Sequence, residues 1–98
     1  MTIEKEITGA SVVLKITGRV DTTTAPELEV AIDACIAGIK ELVLDCGAME
    51  YVSSAGLRVI LKAQKQMSTQ GEMKLIHVNE TVMEVLDITG FADIFTIE

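Results

Sequence analysis

The stretch ELVLDCGAMEYVSSAGLRVILKAQKQM, Glu41 to Met67, changes its hydrophobic period in the middle. Glu41–Asp45 (ELVLD) is a short apolar run with the length of a buried strand, whereas Leu57, Ile60, Leu61, Gln64 and Met67 recur at three- and four-residue intervals, the stripe of a helix that stops near Gly71. Ser53 and Ser54 lie at the changeover. Serine is among the preferred residues just ahead of a helix, because its hydroxyl oxygen accepts an amide of the first turn. With Ser54 as that cap, Ala55, Gly56 and Leu57 become the first three helical residues. Gly56 is then out of place on propensity, since glycine in a helix costs about 1 kcal/mol relative to alanine. Its position implies close backbone approach or bare space beside the cap.

Working outward, residues 2–8 and 11–17 are short, β-branched runs separated by Gly9-Ala10, the pattern of a hairpin. A first helix is expected after them. Thr24 or Ala25 precedes Pro26, a favoured first helical residue, Glu27 and Glu29 suit the positive helix start, and Leu28, Ala31, Ile32, Cys35 and Ile36 give the buried stripe before Gly38. Beyond the central stretch, Lys74–Val78 reads as a further strand. Asn79 and Glu80 open a third helix that carries Val82, Val85 and Leu86 and closes at Gly90, and the tail DIFTIE reads as a last edge strand. After the opening hairpin, strands and helices alternate. This predicts an α/β domain spanning 1–98, with a mixed four- to five-stranded sheet and helices packed mainly on one face.

Composition narrows the function. The 98 residues are 49% hydrophobic, enough for a core without disulfide or metal, and with two Phe, one Tyr and no Trp that core is aliphatic. The net charge of −7 argues against nucleic acid, whose phosphates need basic surface. Cys35 and Cys46 lack metal-ligand spacing and fall in apolar runs, so both read as reduced core thiols. The start MTIEKEITGA has no basic segment followed by an apolar one, and no apolar run approaches the ~18 residues needed to cross a bilayer. The expectation is a soluble, cytoplasmic chain without membrane partners.

Enzyme chemistry finds little purchase. A nucleophilic serine needs a base, and the single histidine, His77, lies within the apolar run KLIHV; no GxSxG or SxxK pattern surrounds Ser54. Asp21, Asp45 and Glu50 are the carboxylates nearest the serines in sequence pattern, and acids on loops are more often solvated turn residues than a metal site. No catalytic residue, metal or cofactor is expected. Arg58, Lys62 and Lys65 fall on one stripe of the second helix. They form either a solvated face that balances local acids or a docking stripe for an acidic partner.

The run LVLDCGAMEYVSSAGLRVIL resembles the signature of the STAS family, the domain shared by anti-sigma factor antagonists and the tails of sulfate transporters. The likeness extends to the opening hairpin, GRVDTTTAPEL, QGEMKLIHV and VMEVLDITGFADIF, so it covers nearly the whole chain. In stand-alone bacterial members a serine at the start of the second helix is phosphorylated by an anti-sigma factor that is also a serine kinase. The unphosphorylated antagonist binds that kinase and frees the sigma factor, and a serine phosphatase resets the cycle. The resemblance implies that Ser54 takes the place of the phosphorylated serine and Asp21 the acidic position beside it. Together with Ser53, with Gly56 beside the cap and with Arg58 and Lys62 of the basic stripe, they give an expected partner-binding surface of Asp21, Ser53, Ser54, Gly56, Arg58 and Lys62. Ser53 stands where the family's aspartate usually stands, and Ala55 where a second hydroxyl stands. A ligand-binding or scaffold module in another signalling or transport assembly is the alternative, separated from the first by incubation with candidate kinases and ATP.

Overall fold

A computed structural model describes residues 1–98. Strands β1 (Thr2–Thr8) and β2 (Ser11–Val20) form the expected antiparallel hairpin, with Glu4 opposite Lys15 and Ile3 opposite Ile16. Helix α1 (Ala25–Asp33) crosses to β3 (Glu41–Val52), which lies parallel to β2, and α2 (Ser54–Met67) crosses to β4 (Glu72–Ile76), parallel to β3. The sheet order is β1-β2-β3-β4, so the mixed character comes from the hairpin alone. Helix α3 (Glu80–Thr89) and a short 3-10 turn (Phe91–Asp93) complete the chain.

Side-chain alternation sets which face is covered. Val12, Leu14 and Ile16 of β2, Leu42, Leu44 and Cys46 of β3, and Met73 and Leu75 of β4 form one cluster with Leu28 and Ile32 of α1, Leu57, Ile60, Ala63 and Met67 of α2, and Val82 and Leu86 of α3. The intervening positions, Lys15, Asp45 and Lys74 among them, belong to the opposite face. One face of the sheet thus carries all three helices.

The departures from expectation are local. Strand β3 runs on to Val52 rather than stopping at Asp45, because its pairing with β2 resumes across two bulges and continues to Val20 and Val52: Lys15 pairs with Asp45 but Thr17 with Ala48, and Gly18 pairs with Met49 but Arg19 with Tyr51. Helix α1 ends at Asp33 rather than near Gly38, although Ile36 stays buried in the turn that follows. Strand β4 begins and ends two residues earlier than expected, and His77 lies beyond it at φ 57°, outside strand conformation. The tail makes only a bridge between Ile97 and Leu75, held by Leu75 N–H to Thr96 O (2.9 Å) and Glu98 N–H to Leu75 O (2.9 Å), so it is a fragment of the expected edge strand.

Candidate functional site

The carboxyl ends of β2 and β3 are paired through Val20 and Val52, so the residues that follow, Asp21 and Ser53, leave the sheet side by side. The Ser53 amide donates to the Val20 carbonyl at 2.8 Å, which keeps Ser53 in the extended conformation of the strand (φ −94°, ψ 174°). Its hydroxyl then accepts the Gly56 amide at 3.4 Å, and its carbonyl accepts the Leu57 amide at 2.9 Å. Ser53, not Ser54, is therefore the cap of α2. The two serines are equal as caps on local chemistry; the hydrogen bond to β2 decides between them. Ser54 becomes the first helical residue, exposed, with a hydroxyl that has no hydrogen-bond partner in the chain.

Gly56 also changes meaning. A Cβ there would stand 2.7 Å from Val20 Cγ1 and 2.9 Å from Val52 Cγ2, and the residue is buried. The missing side chain lets α2 settle onto the ends of β2 and β3. Its bare Cα serves internal packing.

Asp21 organises the neighbouring loop. Its Oδ1 accepts the Thr23 hydroxyl (2.7 Å), the Thr23 amide (3.0 Å) and the Thr24 amide (3.2 Å), while its carbonyl accepts the Ala25 amide at 2.8 Å. Thr24, the residue ahead of α1, makes no side-chain cap bond of its own; its hydroxyl donates to the Arg19 carbonyl at 2.9 Å. The Thr23 hydroxyl, then the Thr23 and Thr24 amides, hold the Asp21 carboxyl below its ordinary range. Arg19 lies over the Tyr51 ring at 4.6 Å and within 3.9 Å of the Asp21 carboxylate. The DTTT run carried a signal for this loop, since Asp and Thr side chains bond backbone amides two residues on. The Arg19–Tyr51 contact had none, because it follows from the strand pairing.

The basic stripe of α2 divides. Lys62 reaches across to α1, 3.3 Å from Glu29 and 3.9 Å from Asp33, so it balances local acids as one of the two readings held. Arg58 and Lys65 are exposed and belong to no ion pair. His77 is exposed and its Nδ1 stands 3.0 Å from Asp45 Oδ1, well back along β3 from the serines. Burial tends to raise the Asp45 carboxyl, but the Gly47 amide and His77 outweigh it and hold the carboxyl low. Both cysteines are free; burial pushes the Cys46 thiol up to about 12, and Cys35, only partly buried, is raised for the same reason. No helix is long and apolar enough to cross a membrane.

The site thus joins Asp21, Ser53, Ser54, Gly56 and Arg58 at one end of the sheet, with Lys62 tied down farther along α2. Comparison with known proteins bears on the family and the fold. The STAS domain family matches residues 2–98. BtrV of Bordetella bronchiseptica, named as a candidate anti-sigma factor antagonist, is 42% identical over 82% of this chain and 71% of its own length. The anti-sigma-B factor antagonist of Listeria monocytogenes is 30% identical over 85% of this chain and 75% of its own. An anti-sigma factor antagonist from Mycobacterium paratuberculosis superposes with a TM-score of 0.89 at 26% identity, over 98% of this chain and 83% of that one. The unphosphorylated form of the antagonist SpoIIAA, at 16% identity, shares the fold with a TM-score of 0.83 over 99% of this chain and 88% of its own. By the match of the family to nearly every residue and the likeness of these relatives, the chain belongs to the STAS domain family.

Proposed function

We propose that this chain is an anti-sigma factor antagonist controlled by phosphorylation of Ser54. Unphosphorylated, it binds an anti-sigma factor that is a serine kinase and so releases the sigma factor; phosphorylated, it lets go; a serine phosphatase restores it. The observation that carries this reading is the division of labour between the two serines, with Ser53 capping α2 and Ser54 exposed and unbonded beside it. Modification of Ser54 removes no hydrogen bond that the fold uses. The names of the Bordetella and Listeria relatives support the class of function.

In the transfer, the Ser54 oxygen bonds to the γ-phosphorus of ATP, the bond from that phosphorus to the bridging oxygen breaks, ADP leaves, and the hydroxyl proton passes to a base on the kinase. The product adds about −1.5 to −2 charge at the helix mouth. There the Ser54 and Ala55 amides stay open, because the Gly56 and Leu57 amides are already bound by Ser53, and the helix dipole favours an anion. The fold accommodates the phosphate. Its effect falls outward, on a partner that must desolvate a strongly hydrated dianion in order to pack here.

The partner surface combines Asp21, Ser53, Ser54 and Arg58. Gly56 shapes it from beneath, and Lys62 lies at its margin. Incubation with ATP and the serine-kinase anti-sigma factors of its own cell, followed by phosphopeptide mapping, tests the reading. Stoichiometric modification of Ser54 is expected; modification confined to Ser53, or none, overturns it.

A further inference from the structure

Of the two exposed cations of α2 that belong to no ion pair, Arg58 and Lys65, Arg58 is the one within a turn of Ser54. Lys62, one turn farther on, is held by Glu29 and Asp33, whereas Arg58 belongs to no ion pair. It lies four residues after Ser54, a spacing that puts the two Cβ atoms about 5–6 Å apart on one helix face. Helical side chains lean toward the helix start, so a guanidinium at position 58 is within reach of the turn that Ser54 begins.

The other charged and titratable groups on the surrounding elements are Arg19 and Asp21 before α1, Glu27 in its first turn, Glu50 and Tyr51 near the end of β3, and the Met1 amino group, which lies back along β2 beside Gly18 and on the Glu50 side. Arg19 is engaged by Asp21 and the Tyr51 ring, and the three acids repel a phosphate. Arg58 is the unpaired cation on the same helix and one turn from Ser54. Resting on the reading of Ser54 as the phosphorylation site, we propose that phosphorylated Ser54 captures Arg58 in a guanidinium–phosphate pair. Modification then acts twice: it adds negative charge, and it withdraws the free cation of the helix mouth from the surface a partner meets. The planar guanidinium suits this, since it can give two parallel N–H bonds to phosphate oxygens.

The test uses the full chain with phosphoserine encoded at position 54 during translation, so that no kinase is needed. Phosphorus NMR follows the second ionisation of the phosphate in the native sequence, in Arg58→Gln and in Arg58→Lys. A neighbouring cation favours the dianion, so the midpoint in the native sequence is expected about half a unit below that of Arg58→Gln at low salt. Arg58→Lys recovers part of the shift, and the difference closes near 1 M salt, where the screening length is about 3 Å. Because Arg19 and Arg58 are the only arginines, phenylglyoxal labelling gives an independent readout: phosphorylation slows labelling of Arg58 severalfold and leaves Arg19 unchanged. Coincident midpoints in the native and Arg58→Gln proteins, or unchanged Arg58 labelling, overturn the capture. Absence of kinase modification at Ser54 overturns the phosphorylation reading instead and does not alter the titration, so the two failures are distinguishable.

Discussion

Two helices of this domain begin in the same way and are fastened differently. Asn79 ahead of α3 and Ser53 ahead of α2 have nearly the same extended backbone, φ −81°, ψ 172° and φ −94°, ψ 174°. Asn79 closes its end twice: Oδ1 accepts the Val82 amide at 2.9 Å, and Nδ2 donates to the Met49 carbonyl at 2.6 Å, welding α3 to β3. Ser53 contributes one long side-chain bond, 3.4 Å to the Gly56 amide. The mouth of α3 is built for attachment. That of α2 is held from beneath, by Gly56 against Val20 and Val52, so its upper surface stays free.

Substitution at Gly56 attacks that support directly and gives the largest expected effect. Gly56→Val drives a branched side chain into Val20 and Val52, which a Cβ alone would already approach at 2.7 and 2.9 Å. Overpacking of this kind costs up to about 3 kcal/mol. Thermal unfolding should fall on the order of 15 °C for a domain of this size. A melting temperature within a few degrees of the native value would show that α2 is not seated on the strand ends.

The next contrast sets the two caps against each other. Asn79→Ala loses a cap, worth about 1 kcal/mol, and leaves the Met49 carbonyl without its donor, worth about 1 kcal/mol more. Ser53→Ala loses only a weak cap and is expected to cost about 1 kcal/mol or less. Ser53→Asp should hold or slightly raise stability, since a carboxylate caps equally well and meets the positive helix end. Equal losses in the two alanine variants, measured by denaturant unfolding, would erase the distinction between the mouths.

What the sequence disclosed about the two mouths follows the same division. For α3, everything needed was local: Asn79 as cap, Val82 and Leu86 at helical spacing, and Gly90 in the left-handed conformation at the end (φ 81°). For α2, two adjacent serines were chemically equivalent, and the choice fell to a bond between Ser53 and a residue far back in the chain, Val20. The strand pattern of β3 is legible only to Asp45, because its buried positions lose their alternation at the bulges, passing from Leu42, Leu44 and Cys46 to Met49 and Val52. Periodicity cannot follow a strand through two irregularities. Gly56 is anomalous on helix propensity, but its neighbours Val20 and Val52 are supplied by tertiary packing, which propensity does not contain. Asp21 and Ser54 are proposed as site residues on family resemblance; the structure places Asp21 and the serine pair side by side at the ends of β2 and β3.

Acid titration probes the loop beside α2 with a smaller effect. Asp21 is ordinarily titrated near 3.8 and is held lower here by Thr23 and Thr24. A carboxyl depressed by folding contributes stability above its unfolded value and loses it as the pH falls through the folded one. The stability difference between the native protein and Asp21→Asn should therefore be flat near neutrality and shrink below about pH 4. Asp45 is depressed as well and titrates in the same region in both proteins, so taking the difference isolates Asp21. A difference that grows on acidification would mean that the Thr23 and Thr24 bonds do not favour the charged form.

The smallest effect on stability is expected at the residue of greatest functional interest. Ser54 is exposed, its hydroxyl is unbonded, and the cap belongs to Ser53. Ser54→Ala should stay within about 0.5 kcal/mol of the native protein, with any gain coming from the better helix propensity of alanine. Ser54→Asp should be equally well folded, because an acid in the first turn of a helix is favourable. Partner affinity should separate what stability does not: under the proposed switch, alanine holds the anti-sigma kinase whether or not ATP is present, and aspartate weakens it. Unfolding and calorimetric titration on the same two proteins give both quantities. Equal affinities would remove the switch while leaving the two mouths as described, whereas a loss near 1 kcal/mol in Ser54→Ala would return the cap to Ser54 and remove the contrast itself.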